Sequence, residues 1–282
     1  MRAKIIYLKT AFHIIPQDKI APDSSLLIEI GAASVSMFFF NRDPFKINGL
    51  IAYHIDAKEN AVSASEQLEG LIARDPLLQQ NFSSVDICYN VKEATLIPRA
   101  FFAKDLVNDI SDLAFGVNGT TENFYDHIRG KDIVNVYRID KNLVKTMNRL
   151  YSFSSSYHSN TLLLCLPYKL NSLYCIVSYD SIKVIFGKDE KLKFTQQFVY
   201  STAADIIYHL LNVLAQYDED PSKIQLTVSG MINDKSNLYD EVYKYFLSIT
   251  FDRIPDDLVL PTIFNEYPSH YFSHLIRMVS CV

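Results

Sequence analysis

Leu26-Leu-Ile-Glu-Ile30, Gly31-Ala-Ala33, Ser34-Val-Ser-Met-Phe-Phe-Phe40: an apolar run, a three-residue break, and a second run of β-branched and aromatic residues. Asn41-Arg-Asp-Pro44 interrupts the chain again before Lys46-Ile-Asn-Gly-Leu-Ile-Ala-Tyr53. Together they predict a β-hairpin extended by a third strand. The pattern returns. Leu173–Val177, a turn at Ser178–Asp180, Ser181–Phe186, a turn at Gly187–Glu190 and Lys193–Tyr200 read the same way. At a constant offset of 147 the two stretches align without a gap over 28 positions. Leu26 falls on Leu173, Ile30 on Val177, Ser34 on Ser181, Val35 on Ile182, Phe39 on Phe186 and Tyr53 on Tyr200. Self-similarity at a fixed period predicts an internal duplication.

The parallel continues downstream. Ala61–Ala73 and Thr202–Tyr217 carry helical spacing, with Ile206, Ile207, Leu210, Leu211 and Leu214 on one face. A loop with proline (Pro76, Pro221) and a short strand follow each, Ser84–Tyr89 and Lys223–Val228, now at an offset of 139. Helices are then expected at Ala103–Phe115 and Leu238–Phe246, as counterparts. Ile133–Arg138 reads as a strand and Lys141–Leu150 as a helix, while Ser152–Asn160, with five serines, reads as the crossing between halves. The expectation is an α/β protein of two domains, 1–156 and 157–282, each a mixed sheet flanked by helices.

Composition narrows the function. A net charge of −5 and a pI near 5.8, without clustered Lys/Arg, exclude a nucleic-acid footprint. The longest apolar runs, Met37–Phe40 and Leu162–Leu166, are far short of the ~20 residues of a membrane span. Lys9 cuts the N-terminal run Met1–Lys9 too early for a signal peptide. Cys88, Cys165, Cys175 and Cys281 form no Cys-x-x-Cys pair and are expected as reduced thiols of a cytoplasmic protein. Eight glycines stand where the usual share would give about twenty. Backbone that wraps a phosphate needs several, so phosphate chemistry is disfavoured from the start.

The repeated unit of hairpin, third strand, helix, strand and helix resembles the ribonuclease-H-like halves of the actin, Hsp70 and sugar kinase superfamily. There the first hairpin of each half carries a phosphate loop of the type Asp-x-Gly-x-x-Ser/Thr. Glu29 stands at the acid position in Ile28–Ser34, with Gly31 and Ser34 retained. In the second half Ile176 replaces the acid and Ser178 the glycine, with Ser181 closing the turn. The glycine-rich nucleotide turn is matched by Val228-Ser-Gly-Met231, where Ser229 precedes Gly230 alone. The whole chain also resembles a bacterial family of unknown function assigned the actin-like ATPase fold, through Ile133–Tyr137, Thr227–Gly230 and His270-Tyr-Phe272. It is similar in architecture to the actin-like domains of pilus-assembly and secretion-platform proteins.

The resemblance implies a nucleotide cleft at Glu29, Gly31, Ser34, Ser178, Ser181, Ser229 and Gly230. Phosphotransfer would need Mg²⁺ and an oriented water beside a clamped phosphate. Ile176 can ligate nothing, and a Cβ at Ser178 intrudes where amide groups should approach. The expected function is therefore a catalytically degenerate pseudo-ATPase with no cofactor, acting as a scaffold for a protein partner. The alternative is an ATP-binding or ATP-hydrolysing member using ATP and Mg²⁺. Eighteen Phe and eighteen Tyr favour a protein partner, because aromatic rings supply contact area at small entropic cost. His270 and His274 have the i, i+4 spacing of metal ligands without a third donor nearby, so no metal site is expected. His209 reads as a core histidine and Tyr217-Asp-Glu-Asp-Pro221 as a solvated acidic loop.

Overall fold

The computed structural model describes residues 8–16, 20, 21, 23–55, 64–165, 171–255 and 258–282. They form two units, one mainly residues up to Cys165, the other mainly Leu166–Asp256 with Asn265–Cys281. The fold class is α/β.

The first unit opens with β1 (Leu8–Ile14), β2 (Ser25–Ile30), β3 (Ser34–Arg42), β4 (Phe45–Ile55), α1 (Ala64–Ile72) and β5 (Val85–Tyr89). Next come β6 (Ala94–Pro98), α2 (Val107–Phe115), β7 (Thr121–His127), β8 (Ile133–Asp140), α3 (Lys141–Leu150), β9 (Ser155–His158) and α4 (Ser159–Leu164). A mixed sheet runs β1-β4-β3-β2-β5-β9, antiparallel across its hairpins and parallel from β2 through β5 to β9. Its central strands are covered on both faces, which is why β2 and β3 read as unbroken apolar runs. Phe38, Phe39 and Phe40 are all fully buried. Leu68, Leu71 and Ile72 of α1 and Leu143, Val144 and Met147 of α3 pack on the face that carries Ile28, Met37, Phe39 and Ile87. The Asp140 carboxylate starts α3 by accepting the amides of Asn142 and Leu143.

Between β5 and α3 the chain builds a second sheet, β6-β8-β7, wholly antiparallel, against which α2 lays Val107 over Val134 and Val136. Arg138 closes it. Its guanidinium pairs with Glu93 at 2.6 and 3.0 Å, donates to the carbonyls of Phe115 and Gly116 at the end of α2, and lies over the Phe115 ring. A cation there meets the negative end of the helix.

The second unit contains β10 (Ser172–Val177), β11 (Ser181–Lys188), β12 (Lys191–Val199), α5 (Ala203–Ala215), β13 (Gln225–Gly230), α6 (Asn237–Tyr243), β14 (Ser248–Phe251) and α7 (Ser273–Val279). Its sheet runs β12-β11-β10-β13-β14. A capping box between Thr202 and Asp205 starts α5, and Ile206, Leu210, Val213 and Leu214 fill one face against Cys175, Val184 and Leu226. The opposite face receives α7 through β13.

Register sharpens the repeat. Gly31 N–H bonds the Ser34 carbonyl and Ser178 N–H the Ser181 carbonyl, the same closure 147 residues apart. A β-bulge falls between Phe39 and Phe40 in one copy and between Phe186 and Gly187 in the other. Past the hairpin the gapless alignment slips. Val35 pairs with Tyr53 and Ile182 with Phe198, so Tyr53 corresponds to Phe198 rather than Tyr200. Both hairpins close on two-residue turns, Asp43-Pro44 and Asp189-Glu190, but the β3–β4 ladder carries one more cross-strand pair beyond the bulge, which adds two residues, and only pairing reveals it. Likewise Ile30 opposes Tyr89 and Val177 opposes Gly230, which moves the offset of the next strand from 139 to 141.

Three expectations change. The helix at Ala103–Phe115 is not the counterpart of α6: it is a short 3-10 turn plus α2, and it packs on the inserted sheet. The counterpart is α3, which enters β9 as α6 enters β14. Ser152–Asn160 is no crossing, since it contains β9, the sixth strand of the first sheet. Strand β1, paired with β4, was not expected at all. The start of the helix expected at Ala61 and most of Met1–Lys9 lie outside the described residues. Cys88 and Cys175 are buried free thiols, whereas Cys165 and Cys281 are disulfide-bonded, against the expectation of four reduced thiols.

Candidate functional site

The three positions expected in the first half lie together at the end of β2. Glu29 is buried, and its carboxylate accepts a hydrogen bond at 2.8 Å from the Asn90 side chain. A Cβ built on Gly31 would lie 3.4 Å from Ser34 Oγ and 4.0 Å from Glu29 Oε1, so the hairpin apex is tight but not closed to a side chain. Asn90 was not picked out from the sequence. It sits one residue beyond β5, whose last residue pairs with Ile30, and its side-chain Oδ1 accepts from the Ser159 hydroxyl.

That contact leads into a buried polar network at the ends of β5 and β9. His158 is fully buried: Nδ1 accepts the Asn160 amide and Nε2 donates to the Val91 carbonyl, which fixes a neutral ring. Asp126 on β7 accepts the His158 amide, the Thr161 hydroxyl and the Tyr137 hydroxyl. Burial outweighs these bonds and raises its carboxyl above the usual range. These groups are committed to one another, and no sequence motif marks them.

The second-half positions serve the fold in a different way. Ile176, at the acid position, is buried between Lys183 on β11 and Ser229 on β13. Ser178 closes the hairpin, its carbonyl accepting the Tyr200 hydroxyl, while Ser181 Oγ accepts from Gln197. Ser229 is fully buried, its hydroxyl 3.0 Å from the His270 carbonyl, 2.8 Å from Ser273 Oγ and 2.9 Å from His274 Nδ1. It anchors the start of α7. Gly230 has φ +83°, and a Cβ there would stand 2.1 Å from the Val177 carbonyl oxygen. That carbonyl also accepts the Met231 amide at 2.7 Å. Close approach of β13 to β10 is thus one physical reason for glycine at this point.

The same face of the sheet holds an ion pair. Asp252, just past β14, accepts two bonds from Arg277 of α7, at 2.9 and 3.1 Å, and one from the Tyr174 hydroxyl. Burial opposes its ionisation, but the bonds from Arg277 and Tyr174 hold the carboxyl below the usual range. Burial pushes His274 down to about 4, against a smaller opposing pull from Asp252. His270 and His274 are held apart in role, His270 Nε2 bonding the Ile232 carbonyl at 2.6 Å. Among the described residues no group of three His, Cys, Asp or Glu could hold a metal ion. His209 stacks on Phe198 at 4.3 Å. The acidic loop is tied down by Lys188, which pairs with Glu219 and donates to the Tyr217 carbonyl.

Residues 16–249 match the model of a family described as protein of unknown function (DUF3822). The chain belongs to this family. No curated protein matches this chain. Among solved structures it is similar to a Bacteroides thetaiotaomicron protein with an actin-like ATPase fold and unknown function. The TM-score is 0.76 at 20% identity, over 92% of this chain and 96% of that one. It is also similar to a chain of a PilM–PilN type IV pilus biogenesis complex, at a TM-score of 0.63 and 8% identity over 91% and 97%. The cytoplasmic domain of EpsL, an inner-membrane component of the Vibrio cholerae type II secretion system, gives 0.51 and 9% over 92% and 96%. At these identities the likeness is one of fold: the DUF3822 chain has the actin-like ATPase fold. Among the described residues no helix is long and apolar enough to cross a membrane.

Proposed function

We propose that this protein is a catalytically degenerate actin-like protein, a scaffold that binds a protein partner and does not turn over ATP. The observation that carries the reading is the second half of the expected nucleotide site. Ile176 occupies the place of an acid, and Ser229, beside it, spends its hydroxyl on the anchoring of α7. A hydroxyl and a strand so engaged leave one half of the phosphate clamp without its polar groups. The PilM neighbour is in a complex with a protein partner, which supports binding as the surviving use of such a fold.

A second reading rests on Glu29, Gly31 and Ser34, which keep the first loop's order and proximity. They favour nucleotide binding without hydrolysis. Thermal denaturation with and without Mg-ATP separates the two. A site filled at 100 times its Kd would add about 2.7 kcal/mol, a shift of roughly 5 °C or more for a chain of this size. The scaffold reading expects no shift at millimolar ATP and no phosphate release. A reproducible upward shift overturns it.

A further inference from the structure

We propose that the outer face of α2 is the docking surface for the partner, and that the partner presents a cationic amphipathic helix to it. The inference rests on the scaffold reading and names the chemistry of its ligand. Val107 and Ser111 turn into the inserted sheet and are buried. Leu106, Ile110 and Leu113 recur at intervals of four and three residues along the turn and helix; Ile110 packs against Val107, Val134 and Val136, which leaves Leu106 and Leu113 as the exposed apolar residues of that stripe. Leu113 is 90% exposed and Leu106 43%. Asp105, Asp109 and Asp112 recur at the same intervals one position earlier and form a parallel row of exposed carboxylates. Arg138 fixes the far end of α2 from behind, so the two rows are carried on a held helix.

An apolar stripe edged by three carboxylates is complementary to a helix that sets Leu-type residues beside a row of Lys or Arg. The same carboxylates repel the anionic headgroups that attract interfacial helices. A second copy of this chain is a poor match. Its own basic helix row, Lys141, Lys145 and Arg149 on α3, belongs to a helix whose apolar residues Leu143, Val144 and Met147 are spent in the core.

The test uses the full chain and two labelled peptides of about 18 residues, some five helical turns, one built from Leu and Lys and the other from Leu and Glu. The Leu/Lys peptide is expected to bind in a salt-sensitive manner and to slow hydrogen exchange over residues 105–113. Leu113→Asp should weaken it at least about tenfold, with the circular dichroism spectrum unchanged because Leu113 packs on nothing essential. The triple variant D105K/D109K/D112K should reverse the preference toward the Leu/Glu peptide. No binding, equal binding of both peptides, protection elsewhere, or unchanged affinity in the variants overturns the proposal. So does self-association that Leu113→Asp abolishes, or tighter binding to phosphatidylserine vesicles than to the peptide. An ATP-induced stabilisation with peptide binding intact would overturn the scaffold reading alone. Loss of peptide binding without an ATP effect would overturn only the assignment to α2.

Discussion

Gly230→Ala concentrates the structural reading in one methyl group. The added Cβ would stand 2.1 Å from the Val177 carbonyl oxygen, 3.0 Å from its carbon and 3.1 Å from its nitrogen, all rigid backbone inside a sheet. The strand must retreat by more than an ångström. That retreat opens the Val177–Gly230 pairing and the Met231-to-Val177 hydrogen bond, and each buried group left without a partner costs about 1–3 kcal/mol. Holding alanine at φ +83° adds about 1–2 kcal/mol. The total is on the order of 3–5 kcal/mol, a large share of the roughly 5–15 kcal/mol of a typical domain. Two controls calibrate it. Gly116→Ala has φ +79° and ψ 161°, a region almost reserved for glycine, but open space around the Cβ, so only the conformational part should be lost, about 1–3 kcal/mol. Gly31→Ala meets ordinary contacts at 3.4 and 3.5 Å and should cost less than that. Urea unfolding followed by far-ultraviolet circular dichroism should rank the three in that order. A Gly230→Ala protein within about 1 kcal/mol of the wild type would refute the close-approach explanation.

Two further outcomes follow from the polar face under α7. Arg277→Leu strands the buried Asp252 carboxylate and should cost about 3–5 kcal/mol, while adding Asp252→Asn should restore much of it, as read from a double-mutant cycle by thermal denaturation. His274 resists protonation in the folded state, so acid protonates the unfolded chain first. Its contribution is complete above about pH 6.5 and falls away as pH drops toward 4, by on the order of 3 kcal/mol. Asp126 and Asp86, raised by burial, act in the opposite sense above pH 4. The comparison is therefore between wild type and His274→Asn, whose stability should slope less steeply between pH 4 and 6.5; equal slopes would exclude His274 as the titrating group.

The hairpins were legible because both faces of their strands are buried, which writes continuous apolar runs into the sequence. The duplication was legible for the same reason. What escaped detection was anything set by pairing. The two-residue slip in the third strand leaves the composition of Phe45–Ile55 and Lys191–Val199 strand-like under either alignment. Strand β9, short and serine-rich, has no hydrophobic signature, since its place in the sheet comes from parallel bonds to β5. At the candidate site the sequence identified Glu29, Ile176, Ser229 and Gly230, but not their commitments. Asn90, Ser273 and Val177 supply those from distant parts of their own units, and no local pattern announces them.

The clamp of Glu93 and Arg138 has a consequence for how the first half came to differ from the second. Arg138 N–H also bonds the Glu93 carbonyl, so the chain leaves for the inserted sheet and returns from it at one spot. Everything between those two residues is a detour whose ends already touch. Such a segment can be gained or lost in a single event without pulling open the strands on either side. The hairpin and its bulge are common to both halves, whereas α2 belongs to the segment that the first half alone carries among the described residues. A change made on that helix therefore falls outside everything the two halves share.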